Sequence, residues 1–123
     1  FGTDEMSLDE GRRVGEALRP LVRAGGIDGI VAANDLLAIG VERAMLFGPD
    51  PIRVPDEVSI VGYDDISFAA SAVVPITSVR QPRALIGSTA VELLLEEAGR
   101  AKGEAPRHVV FAPELVSRES TAR

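Results

Sequence analysis

Two short apolar runs, residues 29–33 (GIVAA) and 58–62 (VSIVG), constrain the fold of this chain more than any other feature. The first shows no alternation of apolar and polar residues, and both are only five residues long. Such runs suit strands of a parallel sheet covered on both faces. A helical pattern lies ahead of the first run, and another, residues 36–47, lies between the two. The order helix, strand, helix, strand calls for crossover connections, and so for an α/β fold in which a parallel sheet has helices on both faces.

The punctuation agrees. Ser7 and Glu10 have the spacing of a capping box, in which each side chain satisfies a free backbone N–H of the other residue. The helix this begins has an apolar stripe of Val14, Ala17, Leu18, Leu21 and Val22 and ends near Gly25 and Gly26. Pro20 is expected to kink its last turn or end it early. Asn34 and Asp35 can each cap the second helix, and residues 48–51 (GPDP) stop it. Residues 66–76 read as a loop with one helical turn, and residues 76–79 as a brief strand. Pro82 can open a third long helix, near residues 84–102, with Ile86, Ala90, Leu93 and Leu94 as its stripe. Residues 108–111 and 115–118 are the last strand candidates, split by Pro113. The chain starts almost directly on a helix, where a doubly wound domain usually opens on a strand. The expectation is the later part of a larger α/β protein.

Composition narrows the chemistry. The 123 residues are 46% hydrophobic and 26% charged, as in an ordinary globular domain. No apolar stretch approaches the roughly 18 residues of a membrane helix. There is no Cys and only one His, His108, which excludes disulfides, thiol nucleophiles and multi-histidine metal sites within the chain. A net charge of -6 argues against direct contact with nucleic acid, which needs clustered Lys and Arg.

Ligands of open parallel sheets bind at the carboxyl ends of the strands, and two runs here finish there in polar residues, AAND and VGYDD. Asn34 and Asp64 would face one crevice. An amide that donates and accepts, beside an accepting carboxylate, suits a hydroxyl-rich small molecule. An equally simple reading leaves Asn34 and Asp35 as helix caps and Asp64 and Asp65 as turn residues. Adjacent acids could instead hold Mg2+ for phosphoryl transfer, but the only Lys, Lys102, lies beyond a long helix. No phosphate-binding glycine motif or nucleophile elbow is present. The second helix has two apolar stripes. Leu37, Val41, Ala44 and Met45 can cover the sheet, while Leu36, Ile39, Leu46 and Phe47 call for a further partner.

Together, GIVAANDLLAIGVERAM, VPDEVSIVGYDDIS, PITSVRQPRALIGSTAVELLL and PELVSRESTAR resemble, in type, order and spacing, the C-terminal half of the effector-binding core of LacI/GalR-family bacterial transcriptional repressors. The resemblance implies a periplasmic-binding-protein-like (type I) core of two subdomains with a small effector, a sugar or nucleoside-like compound, in the cleft between them. It implies no catalysis and no cofactor, a cytoplasmic homodimer, and DNA contact only through an N-terminal helix-turn-helix outside these residues. Carried over by position, Asn34, Asp64 and Gln81 match polar residues at the effector cleft. Met6 stands where many members have a stacking aromatic ring. Asp65 is expected to hold the loop that follows it. The dimer face would use the helix after AAND, with Leu36, Ile39, Arg43, Leu46 and Phe47, and the segment after GYDD. Residues 1–79 would form the C-terminal subdomain, residues 80–111 would cross to the other subdomain, and residues 112–123 would return. A transport receptor of the same fold is the alternative function.

Overall fold

A computed structural model describes residues 1–99 and 105–122. The expected end of the third long helix near residue 102, and Lys102 itself, lie outside the described residues. Both opening apolar runs form strands of one sheet. Its strands are β1 (Gly29–Val31), β2 (Ser59–Tyr63), β3 (Thr77–Arg80) and β4 (Glu114–Val116), in that spatial order. β1 runs parallel to β2 with Val31 opposite Val61, and β2 runs parallel to β3 with Tyr63 opposite Val79. The helices are α1 (Leu8–Arg23), α2 (Asp35–Leu46), the single turn α3 (Ser67–Ala70) and α4 (Arg83–Gly99), with a 3-10 turn at Glu119–Thr121. This is the expected α/β class. Among the described residues no helix is long and apolar enough to cross a membrane.

The chain divides into two compact units, Phe1–Arg80 with Leu115–Arg123, and Gln81–Glu114. In the first unit, Ser7 caps α1 by accepting the Glu10 N–H at 3.3 Å. The reciprocal half of the expected box is not made, because the Glu10 carboxylate turns to the Arg13 guanidinium and the Asp4 N–H instead. Pro20 neither ends nor shortens α1, which continues to Arg23. The bond Pro20 forgoes leaves only the Glu16 carbonyl without its helical donor, and both residues are exposed, so water can replace it.

The buried face of α1 is also rotated from the expected stripe. Ala17 and Leu21 face outward, and Gly11, Val14, Gly15, Leu18 and Val22 face α2. The glycines explain the shift. A Cβ on Gly11 would strike the Leu37 carbonyl, and one on Gly40 would strike the Leu8 carbonyl, so the two helices cross backbone against backbone. The core joins Val14, Leu18 and Val22 of α1 with Ala38, Ile39, Val41 and Met45 of α2 and with Val58, Ile60 and Ile76. Ile39, expected on an outer stripe, is only 7% exposed and belongs to this core, and Leu46 packs against it. Closely crossed helices bury more of the α2 circumference than a two-stripe count implies. The C-terminal segment closes the unit: buried Ser120 donates to the Ile60 carbonyl at 2.6 Å and accepts the Thr77 N–H at 2.8 Å.

In the second unit, Ile86, Thr89, Ala90 and Leu93 of α4 line a pocket with Val109 and Phe111. Arg107 pairs with Glu96 at 2.9 Å. Residues 108–111 form no strand, contrary to expectation. Their neighbour within the unit is a helix, which offers no open edge for backbone pairing. Val91, Leu94 and Leu95 of α4 are exposed.

Candidate functional site at the carboxyl edge of the sheet

The carboxyl ends of β1 and β2 lie side by side, because the two strands are parallel neighbours and the Ala32 N–H still donates to the Val61 carbonyl at 2.9 Å. Asn34 follows β1 as the N-cap of α2, its Oδ1 accepting the Leu37 N–H at 2.9 Å. The capping reading of Asn34 is therefore correct for its oxygen. Its amide nitrogen does something else, donating to the Met6 carbonyl at 3.3 Å. Met6 lies just ahead of α1 with its side chain largely exposed. The starts of α1 and α2 thus meet at this edge.

Asp64 follows β2, with φ of 97° and its N–H donating to the Val79 carbonyl at 3.0 Å. What joins it to Asn34 is Asp35. This carboxylate is 1% exposed and accepts the Ser78 hydroxyl at 2.6 Å and the Ile66 N–H at 2.8 Å. The first turn of α2 is therefore bonded to the loop that carries Asp64. Gly62 permits this, since a Cβ there would overlap the Asp35 carboxylate. Sequence reading treated Asp35 only as a possible cap and missed this role. The signal was an acid inside an otherwise apolar run, opposite a strand glycine.

Asp65 also has positive φ, 49°. Its Oδ1 accepts from Arg118 Nη2 and its Oδ2 from Arg80 Nε, each at 2.6 Å, and its N–H donates to Ser78 Oγ at 3.0 Å. Burial pushes its carboxyl up, but the hydrogen bonds and charges of Arg118 and Arg80 outweigh burial and hold it below the usual carboxylate range. Asp65 holds its loop, as expected, and its carboxylate is committed to two cations. Among the described residues no group of three or more His, Cys, Asp or Glu side chains could hold a metal ion.

The structure thus brings Met6 and Asn34 into contact and ties Asn34 through Asp35 to the loop of Asp64. Gln81 belongs to the second unit, where its carbonyl accepts the Arg83 N–H at 2.8 Å. A separate apolar cavity of about 390 Å³ lies among α1, α2 and β1, and none of Met6, Asn34 or Asp64 lines it. A smaller groove of about 280 Å³ runs between α2 and the segment after GYDD, lined by residues that include Leu36, Ile39, Glu42, Arg43, Phe68 and Val73. Of the residues expected on a dimer face, Leu36 and Arg43 line that groove, half-buried and exposed respectively, and Phe47, the residue that follows α2, is exposed.

A family model described as a periplasmic binding protein-like domain matches residues 2–121. The chain belongs to the periplasmic-binding-protein-like domain family. Its relatives within that family are LacI-type transcriptional regulators. The HTH-type transcriptional regulator MalR of Streptomyces coelicolor is 45% identical over 95 residues, which are 76% of this chain and 26% of MalR. The chain therefore spans about a quarter of the length of such curated relatives. Among solved structures, a transcriptional regulator CelR–cellobiose complex superimposes with a TM-score of 0.79 at 34% identity, covering 94% of this chain and 34% of that one. A lac repressor dimer bound to operator and the anti-inducer ONPF also gives a TM-score of 0.79, at 26% identity, covering 97% and 34%. In this periplasmic-binding-protein-like family the relatives named are regulators, not enzymes or transport receptors.

Proposed function

We propose that this chain forms the C-terminal part of the effector-binding core of a LacI-type transcriptional regulator acting in the cytoplasm, and that its effector is a small carbohydrate. The observation that carries this reading is the fixed edge formed by Met6, Asn34 and Asp64. An amide has two N–H groups, and the Met6 carbonyl takes one from Asn34, so the other can donate to a ligand hydroxyl. The Asp64 carboxylate is the complementary acceptor, and Met6 offers an apolar contact in place of a ring. Gln81, at the start of the second unit, is assigned a further contact in the complete core. The CelR structure with cellobiose supports a sugar over a nucleoside.

With a net charge of -6, DNA contact falls to a helix-turn-helix outside these residues. The working form is a homodimer built on the groove between α2 and residues 68–73, a reading supported by the dimeric lac repressor relative. Residues 1–79 and 112–123 are assigned to one subdomain of the core and residues 80–111 to the other. The test is thermal-shift screening of the full-length regulator against monosaccharides, disaccharides and nucleosides, with Asp64→Ala alongside. The expected result is a disaccharide-dependent rise in Tm that Asp64→Ala abolishes. A rise of equal size in the variant, or with nucleosides alone, would overturn the assignment.

A further inference from the structure

Among the described residues one buried side-chain oxygen lacks a hydrogen-bond partner, Glu42 Oε2. The other oxygen, Oε1, accepts the Val74 N–H, and the residue as a whole has no exposed surface. Asp35, one helical face away and just as deeply buried, differs: its two oxygens are taken by the Ser78 hydroxyl and the Ile66 N–H. A half-satisfied carboxyl in such a site is stable chiefly as the neutral acid, because no donor or cation in contact compensates a negative charge.

Glu42 also forms part of the floor of the groove between α2 and residues 68–73. The walls there are mainly apolar, with Leu8 from α1, Leu36 and Ile39 from α2, and Phe68 and Val73 from the facing segment. Ser71, in that segment, turns its hydroxyl to the Ser67 carbonyl at 3.4 Å. Arg43 is the only other charged residue lining the groove, and neither α1 nor the facing segment brings a titratable group to it. Arg43 follows Glu42 directly on α2, and adjacent helical residues do not face each other. Its charge is accordingly the smallest of three influences on the Glu42 carboxyl, after burial and the Val74 N–H.

Water standing in the open groove lies near Glu42 and lessens the penalty of a charge there. A second subunit seated on these walls displaces that water, which disfavours the ionised form further. Because Oε2 is closed off by its own subunit, a side chain of the second copy cannot supply the missing donor without parting residues 68–73 from α2. We propose that dimerisation through this groove is linked to the proton on Glu42, the dimer holding the neutral acid more firmly than the free subunit does, so that the dimer weakens as pH rises. The linkage rests on the homodimer proposed for this groove. Its contribution to affinity is complete at pH values below the titration of Glu42 in the free subunit. It is lost as pH rises from there through the higher titration in the dimer, by at most about tenfold per pH unit for each of the two carboxyls.

The test is sedimentation equilibrium of the full-length regulator from about pH 5 to about pH 9, comparing wild type with Glu42→Gln, a neutral side chain of the same shape. Other groups titrate alike in both proteins, so the ratio of the wild-type Kd to the variant Kd isolates Glu42. That ratio should rise about tenfold or more across the range. A constant ratio would overturn the linkage. So would a ratio that falls with pH, which would mean that the second subunit brings a donor or a cation to the carboxylate. If Glu42→Gln fails to fold, Glu42→Met, apolar and of similar length, takes its place in the same comparison. Phe68→Glu keeps the two readings apart. A wild-type monomer at every pH, or a dimer that Phe68→Glu leaves intact, sinks the groove as the interface and the linkage with it, whereas a Phe68-dependent dimer with a constant ratio sinks the linkage alone.

Discussion

The Asp35 carboxylate accepts the Ser78 hydroxyl at 2.6 Å beneath the sheet edge, so one buried acid ties the first turn of α2 to β3. Its second oxygen holds the Ile66 N–H. Asp35→Ala strands both donors in a site closed to water. It should destabilise the protein by about 3 kcal/mol, read as a lower urea midpoint. Ser78→Ala removes one donor to Asp35 together with the acceptor of the Asp65 N–H, and should cost about 2 kcal/mol. No loss in Asp35→Ala would show that the buried carboxylate contributes nothing to the fold.

Gly40 gives a prediction whose sign depends on the structure. By helix propensity alone, Gly40→Ala in the middle of α2 should stabilise by about 1 kcal/mol. In the fold, the new methyl group meets the Leu8 carbonyl and the backbone of Gly11 and Arg12. Overpacking of this kind costs about 1–3 kcal/mol, so a net loss is expected in thermal or chemical denaturation. A gain would mean that α1 and α2 can separate without penalty.

These two cases show what the sequence displayed and what it hid. Runs such as GIVAA announce parallel strands by their unbroken apolar character, but the covering expected on both faces is not found for β1, where Gly29 and Val31 are exposed and Ile30 is half-buried. Ends such as AAND and GYDD announce the polar carboxyl edge of the sheet because strand direction fixes where the chain leaves it. The crossing of α1 on α2 was not legible, since Gly11, Gly15 and Gly40 carry no apolar signal and yet decide which stripe is buried. Ile39 shows the consequence, read as an outer residue and found in the core. The strand expected at residues 108–111 failed for a related reason: periodicity cannot say whether a pairing edge is nearby.

Glu42 supplies a pH dependence. It is fully buried in α2, with Oε1 accepting the Val74 N–H and Oε2 without a hydrogen-bond partner among the described residues. Burial pushes its carboxyl up, against the smaller opposing effects of the Val74 N–H and the Arg43 charge. The folded protein therefore holds this proton more tightly than the unfolded chain. Between the usual glutamate value and the raised one, the native state binds more protons, so stability falls as pH rises through that interval. Glu42→Gln should remove this part of the slope in a plot of unfolding free energy against pH. An unchanged slope would assign it to other groups.

The burial of Ile39 changes how the dimer face is to be tested. Ile39→Glu would put a charge into the core and unfold the subunit, so loss of dimer in that variant says nothing about the interface. Phe68 and Val73 on the other lip of the groove are 67% and 62% exposed. Phe68→Glu should leave the subunit folded and shift the full-length protein toward monomer by sedimentation, with affinity weakened by tenfold or more, about 1.4 kcal/mol. A dimer of undiminished affinity would move the interface away from this groove.

Asn34 allows the cap and the ligand contact to be separated in a single position. Its oxygen caps α2 and its nitrogen faces the Met6 carbonyl, so the two functions use different atoms. Asn34→Asp keeps an oxygen for the Leu37 N–H and should preserve helix stability, since Asp caps as well as Asn. It also removes the donor and sets a second carboxylate near Asp64, so carbohydrate binding should fall by tenfold or more even though the fold is intact. Asn34→Ala loses the cap as well and should cost about 1 kcal/mol of stability besides. Calorimetric titration with the sugar found by screening, read beside the denaturation midpoints, distinguishes the cases. If Asn34→Asp binds as tightly as wild type, Asn34 is a cap and no more, and Asp64 must find its complementary donor elsewhere.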